Sequence, residues 1–206
     1  MFNLFRSKNN VKNAKKEEYD LPQDLDLLNK WTIPKMDPRT IYQYGTFENY
    51  ITKHVVKTTE QSIPMEDNEM TINLLSVEDI EKYMLTYKFI HIGLIQIAFK
   101  PLTLSGLPET FLAVLRDARN LNWNQSLMGV MQTSLAHGPV YFNVRPNLQL
   151  SLSDKNIMDA ITLYVKAHGY NYKPETEIMC ICYRIYYRLL HTLNCLLYTS
   201  PSPRDS

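Results

Sequence analysis

The chain has 206 residues, and its 22 Lys and Arg are balanced by 21 Asp and Glu, which leaves a net charge of +1. Apolar residues make up 45% and aromatic residues 11%, the composition of an ordinary globular chain. This balance excludes a strongly basic duplex-binding protein and an acidic disordered tail, so any nucleic-acid binding must come from a local patch. The length suits one large domain that is stable without disulfides.

The N-terminal part divides into two segments by composition. Residues 1–20 are first basic and then acidic, and we expect a polar, mobile arm that does not act as a secretory signal. Residues 21–75 contain spaced prolines and short β-prone pieces such as Thr40–Tyr44 and His54–Thr58. This pattern is typical of an extended lead-in that lies over the surface of a domain.

In the final segment, residues 195–205 match one reading frame of sequencing-adapter DNA. The preceding Tyr-rich apolar sequence changes abruptly to Ser-Pro-Ser-Pro at Ser200. We therefore expect residues 195–206 to be adapter read-through and not native, with the natural sequence interrupted near Asn194. Genomic DNA that encodes residues 195–205 would contradict this, and the segment would then be a Ser/Pro linker.

The segment 76–194 carries the clearest structural signals and is the predicted core domain. Ser76-Val77-Glu78-Asp79 has capping-box spacing and predicts a short helix over about Val77–Leu85. The β-branched run Ile90–Phe99 is typical of a central strand buried on both faces. Thr110–Arg116 fits either a strand or a helix, and the pattern alone does not decide between them.

Further along the chain, apolar and polar residues alternate with the period of β-strands. The predicted elements are strands at Val140–Val144, Leu148–Ser153, Leu163–Ala167 and Ile178–Tyr187, a turn at Pro146-Asn147 and a short helical turn at Ile157–Ala160. Strands joined by turns without a βαβ rhythm predict a mainly β fold. We expect an antiparallel, jelly-roll-like sandwich with one or two short helices.

Motifs for catalysis and cofactor binding are absent from the sequence. It has no phosphate-binding glycine loop, dinucleotide fingerprint, nucleophile elbow or zinc-binding helix, and only six glycines from which such loops are built. Cys180 and Cys182 are interpreted as small buried hydrophobic residues and His91 as a core histidine with its hydrogen bonds satisfied. We expect no enzyme activity, no catalytic residue, no cofactor and no metal.

The segment Leu115-Arg116-Asp117-Ala118-Arg119 places an acid and two bases at the end of an apolar run. An aspartate in that position must be solvated, paired or hydrogen-bonded. One interpretation is a surface ion pair between Asp117 and Arg119, worth well under about 1 kcal/mol. The other is a partly buried network in which Asp117 fixes the next loop and Arg119 is available to a partner or a phosphate.

A series of short motifs lies between about Tyr87 and Asn194. In chain order they are Lys100-Pro101-Leu102, Gly106-Leu107-Pro108, Leu115-Arg116-Asp117-Ala118-Arg119, Ser126-Leu127-Met128-Gly129, Gly138-Pro139-Val140-Tyr141-Phe142, Pro146-Asn147, Leu150-Ser151-Leu152-Ser153-Asp154 and Tyr183-Arg184-Ile185-Tyr186-Tyr187. Together they resemble the plant-virus cell-to-cell movement proteins of the thirty-kilodalton superfamily. Their order and spacing are most similar to the caulimovirus, or pararetrovirus, branch.

The resemblance implies a jelly-roll domain without enzyme activity that binds single-stranded nucleic acid or virions with little sequence preference. It also implies passage from the host cytoplasm to plasmodesmata, contact with plasmodesmal host proteins and self-association into tubules or oligomers. It favours the strand assignment for Thr110–Arg116. The alternatives are a jelly-roll capsid protein and the N-terminal movement segment of a pararetroviral polyprotein or its integrated genomic copy.

Two sets of site residues follow from the resemblance. Asp117, Arg119 and Gly129 match the family signature and are expected to serve the fold and transport. The candidate nucleic-acid contacts, which combine bases with one stacking aromatic ring, are Arg116, Arg119, Trp123, Arg145 and Lys166.

Overall fold

The computed structural model describes residues 30–42, 53–64, 69–103, 106–169 and 176–191. The predicted arm at 1–20 and the predicted adapter segment at 195–206 lie outside the described residues. Within the described part of the chain, no helix is long and apolar enough to cross a membrane.

Nine strands account for most of the described chain. They are β1 (Lys53–Pro64), β2 (Glu69–Asn73), β3 (Phe89–Pro101), β4 (Thr110–Arg116), β5 (Leu127–Ser134), β6 (Val140–Val144), β7 (Leu148–Ser151), β8 (Thr162–Ala167) and β9 (Glu177–Leu190). The helical elements are α1 (Pro38–Ile41), α2 (Val77–Met84), α3 (Trp123–Ser126) and a 3₁₀ turn at Ile157–Ala160. Of the described helices, only α2 is longer than four residues.

The strands form two antiparallel sheets. Sheet I has the order β1-β9-β3-β6, and β7 pairs with β3 next to β6; sheet II has the order β2-β8-β4-β5. Strands that follow each other in sequence mostly lie in opposite sheets, which is the connectivity of a jelly roll. The predicted mainly β, jelly-roll-like sandwich is therefore confirmed.

The long pair of β3 and β9 forms the centre of sheet I. Ile95 lies opposite Ile185, and one β-bulge at Gly93 interrupts the register. Alternate residues of both strands face sheet II, and the rings of Phe99 and Phe111 meet there with centroids 4.6 Å apart. The buried run predicted for Ile90–Phe99 and the alternating strand predicted for Ile178–Tyr187 are both confirmed.

The segment that the pattern left undecided, Thr110–Arg116, is strand β4. Phe111, Ala113 and Leu115 are fully buried and point into the sandwich, where they belong to the main core. A two-residue period therefore explains the burial better than the helical face that Leu107, Phe111 and Leu115 would share.

The predicted capping box is wrong in its hydrogen bonds, although the helix is where the sequence places it. Ser76 is the N-cap of α2, but its hydroxyl contacts the Glu78 carboxylate at 2.9 Å and not the backbone. Asp79 instead forms an ion pair with Lys57 of β1. The aspartate at the position usually held by Glu or Gln therefore ties the helix to sheet I.

Other elements differ from the prediction or were missed. Thr40 and Ile41 belong to the helical turn α1, which Asp37 caps with its side chain, and not to a β-prone piece. Strands β2 and β5 and helix α3 have too weak a periodicity to be predicted from pattern. The Nε2 atom of His91 contacts Asn147 Oδ1 at 2.8 Å, but its buried Nδ1 has no hydrogen bond, so this histidine is only half satisfied.

Candidate nucleic-acid interface

The loop that follows β4 is fixed by its backbone at both ends. The N–H of Asp117 donates to the carbonyl of Ser126 at 2.8 Å, and the N–H of Ala118 donates to the carbonyl of Asp159 at 2.8 Å. The Asp117 carboxylate also accepts from the N–H of Arg119 at 3.1 Å, which closes a local turn. The loop is thus joined to α3 on one side and to the 3₁₀ turn on the other.

The guanidinium of Arg119 is clamped between two carboxylates. Its Nε and Nη2 donate to the two oxygens of Asp117 at 2.8 and 2.7 Å, and its Nη1 donates to Asp154 Oδ2 at 2.7 Å. The side chains of Arg119, Asp117 and Asp154 are 23%, 17% and 33% exposed. A bidentate, partly buried geometry of this kind is stronger than an isolated surface pair.

Charge interactions within this network shift the titration of its members. The hydrogen bond that Arg119 donates to Asp117 raises the pKa of Arg119, and Asp154 contributes further. The backbone N–H of Asn156, followed by Arg119, lowers the pKa of Asp154. Because the folded-state pKa of Asp154 is depressed, its stabilising effect is present above the unfolded value and is lost as the pH falls below it.

The arrangement of Asp117, Arg119 and Asp154 carries one more negative than positive charge. Three of the five N–H donors of Arg119 are used by carboxylates, so its charge is already matched within the fold. This geometry suits a role in holding the loop, whereas an arginine that meets a phosphate needs a free face of its fork.

Gly129 lies where β5 of sheet II passes β6 of sheet I. A Cβ atom at this position would be 2.6 Å from Cγ2 of Val144 and 3.5 Å from the ring of Phe142. Two carbon atoms cannot approach that closely, so a side chain at position 129 would require the Val144 side chain or one of the two sheets to shift. The glycine therefore permits the close contact that closes this edge of the sandwich.

Arg116, at the end of β4, lies beside a cleft on the outer face of sheet II. Its guanidinium carbon is 5.2 Å from the centroid of the Trp123 ring, within the range of a cation–π contact. Trp123 begins α3 and is 52% exposed. The cleft has a volume of about 470 Å³, and its lining residues are Thr71, Arg116, Ala118, Trp123, Thr162 and Tyr164.

Lys166 extends from the same face of β8 as Tyr164 and Thr162, because alternate residues of a strand point to the same side. Its ammonium pairs with the Glu69 carboxylate, whose pKa is lowered by that hydrogen bond. A hydrogen bond with the same carboxylate raises the pKa of Tyr164. Lys166 lies four residues from Thr162, about 13 Å along the strand at roughly 3.3 Å per residue.

The structure therefore places the five candidate contacts in three settings. Arg116 and Trp123 touch each other at the cleft, and Lys166 lies further along the same face of sheet II. Arg119 lies in the carboxylate network, and Arg145 is exposed in the link between β6 and β7 of sheet I.

Sequence reasoning missed Tyr164 and Thr71, which line the cleft with Arg116 and Trp123. The signal for Tyr164 was present, because the buried alternation of Leu163, Val165 and Ala167 requires Tyr164 to point outward. Thr71 had no such signal, since β2 was not predicted and its pairing with Tyr164 depends on the sheet register.

Replacing Gly129 by Ala is expected to destabilise the fold by about 1–3 kcal/mol, because the new methyl group overlaps Val144. Val144→Ala alone should cost about 1–2 kcal/mol through the loss of buried methyl groups. The double variant should lose less unfolding free energy than the two single variants lose together, by at least about 0.5 kcal/mol, measured by urea unfolding. Strict additivity would contradict the proposed contact.

The chain is similar to known movement proteins. A family model described as viral movement protein matches residues 6–197. The movement protein of soybean chlorotic mottle virus is 31% identical over 150 residues, which are 68% of this chain and 50% of that protein. The movement protein of figwort mosaic virus (strain DxS) is 23% identical over 160 residues, 72% of this chain and 50% of that protein. This chain spans about half the length of these two relatives.

A genome polyprotein of petunia vein clearing virus is 26% identical over 160 residues, 77% of this chain and 7% of the polyprotein. Among solved structures, desmodium yellow mottle tymovirus is similar with a TM-score of 0.49 and 13% identity over 82% of this chain and 99% of that chain. Turnip yellow mosaic virus has a TM-score of 0.48 and 11% identity over 77% of this chain and 84% of that chain. Because the family model covers most of its length, the chain belongs to the viral movement protein family.

Proposed function

We propose that this movement protein binds single-stranded nucleic acid on the outer face of sheet II and carries it from cell to cell through plasmodesmata. The observation that carries the proposal is the cleft in which Arg116, Trp123 and Tyr164 come together. An exposed aromatic ring, a second ring and a cation at one concave surface are the components of a stacking site for a single strand.

The chemistry of this cleft fits binding without sequence preference. Every base has an aromatic face, so stacking on Trp123 or Tyr164 is available to all four and is worth about 1–3 kcal/mol per base. Arg116 supplies a positive charge for the backbone phosphates, which have the same structure at each nucleotide. A protein with a net charge of +1 can therefore bind nucleic acid through a local surface.

The candidate cations differ in whether a carboxylate already pairs with them. Arg119 is held by Asp117 and Asp154, and we assign it to the support of the interface and not to contact with phosphate. Lys166 shares its charge with Glu69, so its contribution should be smaller than that of Arg116. Arg145 stays a predicted contact on a different sheet.

The signature aspartate acts on the interface through the loop it holds. The N–H of Asp117 bonds to the carbonyl of Ser126, the last residue of α3, and Trp123 is the first residue of that helix. Loss of the Asp117 side chain would release Arg119 and loosen this connection, so Trp123 would no longer be held beside Arg116. We infer that Asp117 is a positioning residue for the stacking site.

Transport requires more than binding, and we propose that the chain reaches plasmodesmata, meets host proteins there and self-associates into tubules or oligomers. Membership of the movement protein family supports this role. Virions are an alternative cargo, since a charged and aromatic surface is also suited to a protein partner.

A second possibility is that this chain is a segment of a polyprotein. The match to a genome polyprotein of petunia vein clearing virus supports this second possibility. Genomic sequence downstream of the movement-protein region would test it, because a polyprotein would continue in frame into a protease and a reverse transcriptase.

Trp123→Ala and Arg116→Ala should each weaken binding to a labelled oligothymidylate, measured by fluorescence anisotropy. Because one stacked base is lost, the affinity of Trp123→Ala for the oligothymidylate should be roughly 5- to 150-fold lower. Loss of one phosphate contact predicts that Arg116→Ala makes the slope of log K against log salt shallower by about 0.7. Lys82→Ala, an exposed base on α2, is the matched control. If all three variants bind with the affinity of the original chain, the outer face of sheet II is excluded as the binding surface.

Asp117→Asn keeps the shape of the side chain but removes its charge, and it should abolish movement. A fluorescent fusion of the chain in leaf epidermis should form foci that span the cell wall, and the variant should remain in the cytoplasm. Glu81→Gln, an exposed carboxylate on α2, removes the same charge and should behave like the original chain. Circular dichroism of both proteins separates loss of the fold from loss of transport. A correctly folded Asp117→Asn that forms normal foci would contradict the role of Asp117.

A further inference from the structure

Strand β5 forms one edge of sheet II. It pairs with β4 on one side, and none of the described strands pairs with it on the other. Strand β6 passes close to it at Gly129 but belongs to sheet I. An edge strand of this kind presents backbone N–H and C=O groups to which a further strand can bond.

The backbone groups of Val130 and Gln132 point away from β4. In β4, the carbonyl of Thr110 accepts from the N–H of His168, directly after β8. Successive residues of a strand direct their backbone groups to opposite sides, so the odd-numbered residues of β4 bond to β5. They pair with the odd-numbered residues of β5. The even-numbered Val130 and Gln132 therefore direct their N–H and C=O groups to the open side.

This edge strand has no charged side chain. The whole stretch between Arg119 and Arg145 contains no Asp, Glu, Lys or Arg, in a chain of which 21% is charged. At the other ends of the two sheets, β1 contains Lys57 and Glu60, and β2 begins at Glu69. Charged residues on edge strands oppose pairing with a further strand. Strand β5 lacks this protection.

Two large apolar side chains of β5 are exposed. Leu127 is 39% and Val130 51% exposed. Val130 lies on the outer face of sheet II, next to Val114, whereas Met131 packs against the core. Apolar side chains beside unpaired backbone groups are the components of a site for strand addition.

A second copy of this chain fits this edge because of its charge and its symmetry. When a strand pairs with its own copy about a two-fold axis, the same surface meets itself, and a charged edge would repel its copy. Strand β5 brings only uncharged residues into such a contact. Repulsion between the whole chains is also weak, since the net charge is +1.

The two faces of the sheet restrict the register of this pairing. Residues that lie opposite each other point to the same side, so an outer-face residue must meet another outer-face residue. With Val130 opposite Val130 of the second copy, residues 127–133 of both strands overlap. The outward N–H and C=O groups of the two Val130 residues then bond to each other reciprocally. The exposed apolar side chain is covered by its own copy.

We propose that strand β5 joins two copies of this chain by antiparallel pairing, with Val130 at the two-fold axis. The inference rests on the proposed function, because it names the surface through which the chain self-associates. Sheet II then continues through both copies, and the two clefts at Trp123 lie on one outer face. They are displaced by about 20 Å along the strands, at roughly 3.4 Å per residue, so one nucleic-acid strand can reach both.

The test places a charge at the two-fold axis of the full chain. Val130→Lys and Val130→Glu should each raise the dimer Kd at least about tenfold in sedimentation velocity, because like charges then lie opposite each other. An equimolar mixture should recover a dimer with one copy of each, because opposite charges meet. Val56→Lys, at a 45% exposed valine of the edge strand β1, is the matched control and should leave the dimer unchanged.

Three results would overturn the proposal. The first is an original chain that stays monomeric at every concentration tested. The second is association of both Val130 variants as strong as that of the original chain. The third is a mixture of the two variants that stays monomeric although circular dichroism shows that both are folded.

Val130→Cys in a Cys195→Ser background supplies a test that adds no charge. Cα atoms directly opposite in a hydrogen-bonded antiparallel pair are about 5.5 Å apart, within the range of a disulfide. Mild oxidation should therefore link two copies through position 130, as identified by peptide mass spectrometry. Leu121→Cys, at a fully exposed residue outside β5, is the control and should link at least about tenfold more slowly. Equal rates of linking would contradict the pairing.

Failure of this inference can be distinguished from failure of the proposed function. If the chain self-associates and the Val130 variants do so equally, self-association stands and the β5 surface is wrong. If the chain is monomeric and Trp123→Ala still weakens oligothymidylate binding, the nucleic-acid interface stands without this inference. If the chain neither associates nor binds the oligothymidylate, both proposals are overturned.

Discussion

The antiparallel pairing of β3 with β9 determines where the other strands of the sandwich can lie. Their alternating residues give sheet I one apolar face, which packs on sheet II, and an opposite face beneath residues 30–42 that combines buried cations with buried apolar residues such as Ala98 and Cys182. Because the side-chain period of a strand is two, a shift of one residue in this register would exchange the two faces. The set of residues that enters the core from these two strands therefore depends on this single register.

Two arginines, three residues apart, illustrate how the fold separates structural charge from available charge. Arg119 lies in a turn between two carboxylates, and its pKa is raised by them. Arg116 ends β4 on the outer face of sheet II, where its neighbour is the aromatic ring of Trp123. The carboxylate network keeps the loop in place and leaves Arg116 beside the exposed ring of Trp123. The function proposed for the chain depends on this division.

Elements that depend on local periodicity could be predicted from the sequence. The alternation in β6, β8 and β9 and the apolar run of β3 predicted strands, because burial of one or both faces leaves a direct pattern in the residues. Strand β2 was not predicted, since its partner β8 is distant in the chain. Strand β5 was not predicted because it lies at the edge of sheet II, where its residues are exposed or half-buried and leave no clear alternation. The resemblance, and not the periodicity, marked Thr110–Arg116 as a strand.

The candidate site was only partly predictable for the same reason. Asp117 and Arg119 could be paired from their spacing, but the third member, Asp154, comes from a segment 35 residues away. Arg116 and Trp123 were identified separately, and only the fold shows that they touch. Asp79 was assigned to a helix cap, yet it pairs with Lys57 because β1 passes next to α2.

Ultraviolet cross-linking of the full chain to an oligothymidylate, followed by peptide mass spectrometry, tests the central claim most directly. Aromatic side chains stacked on bases are well placed to cross-link, so the account predicts modified peptides that contain Trp123 and Tyr164. The cross-links should disappear at high salt, because binding depends on phosphate contacts. Salt-sensitive cross-links found only in peptides that lack both residues would contradict the assignment of the interface to the outer face of sheet II.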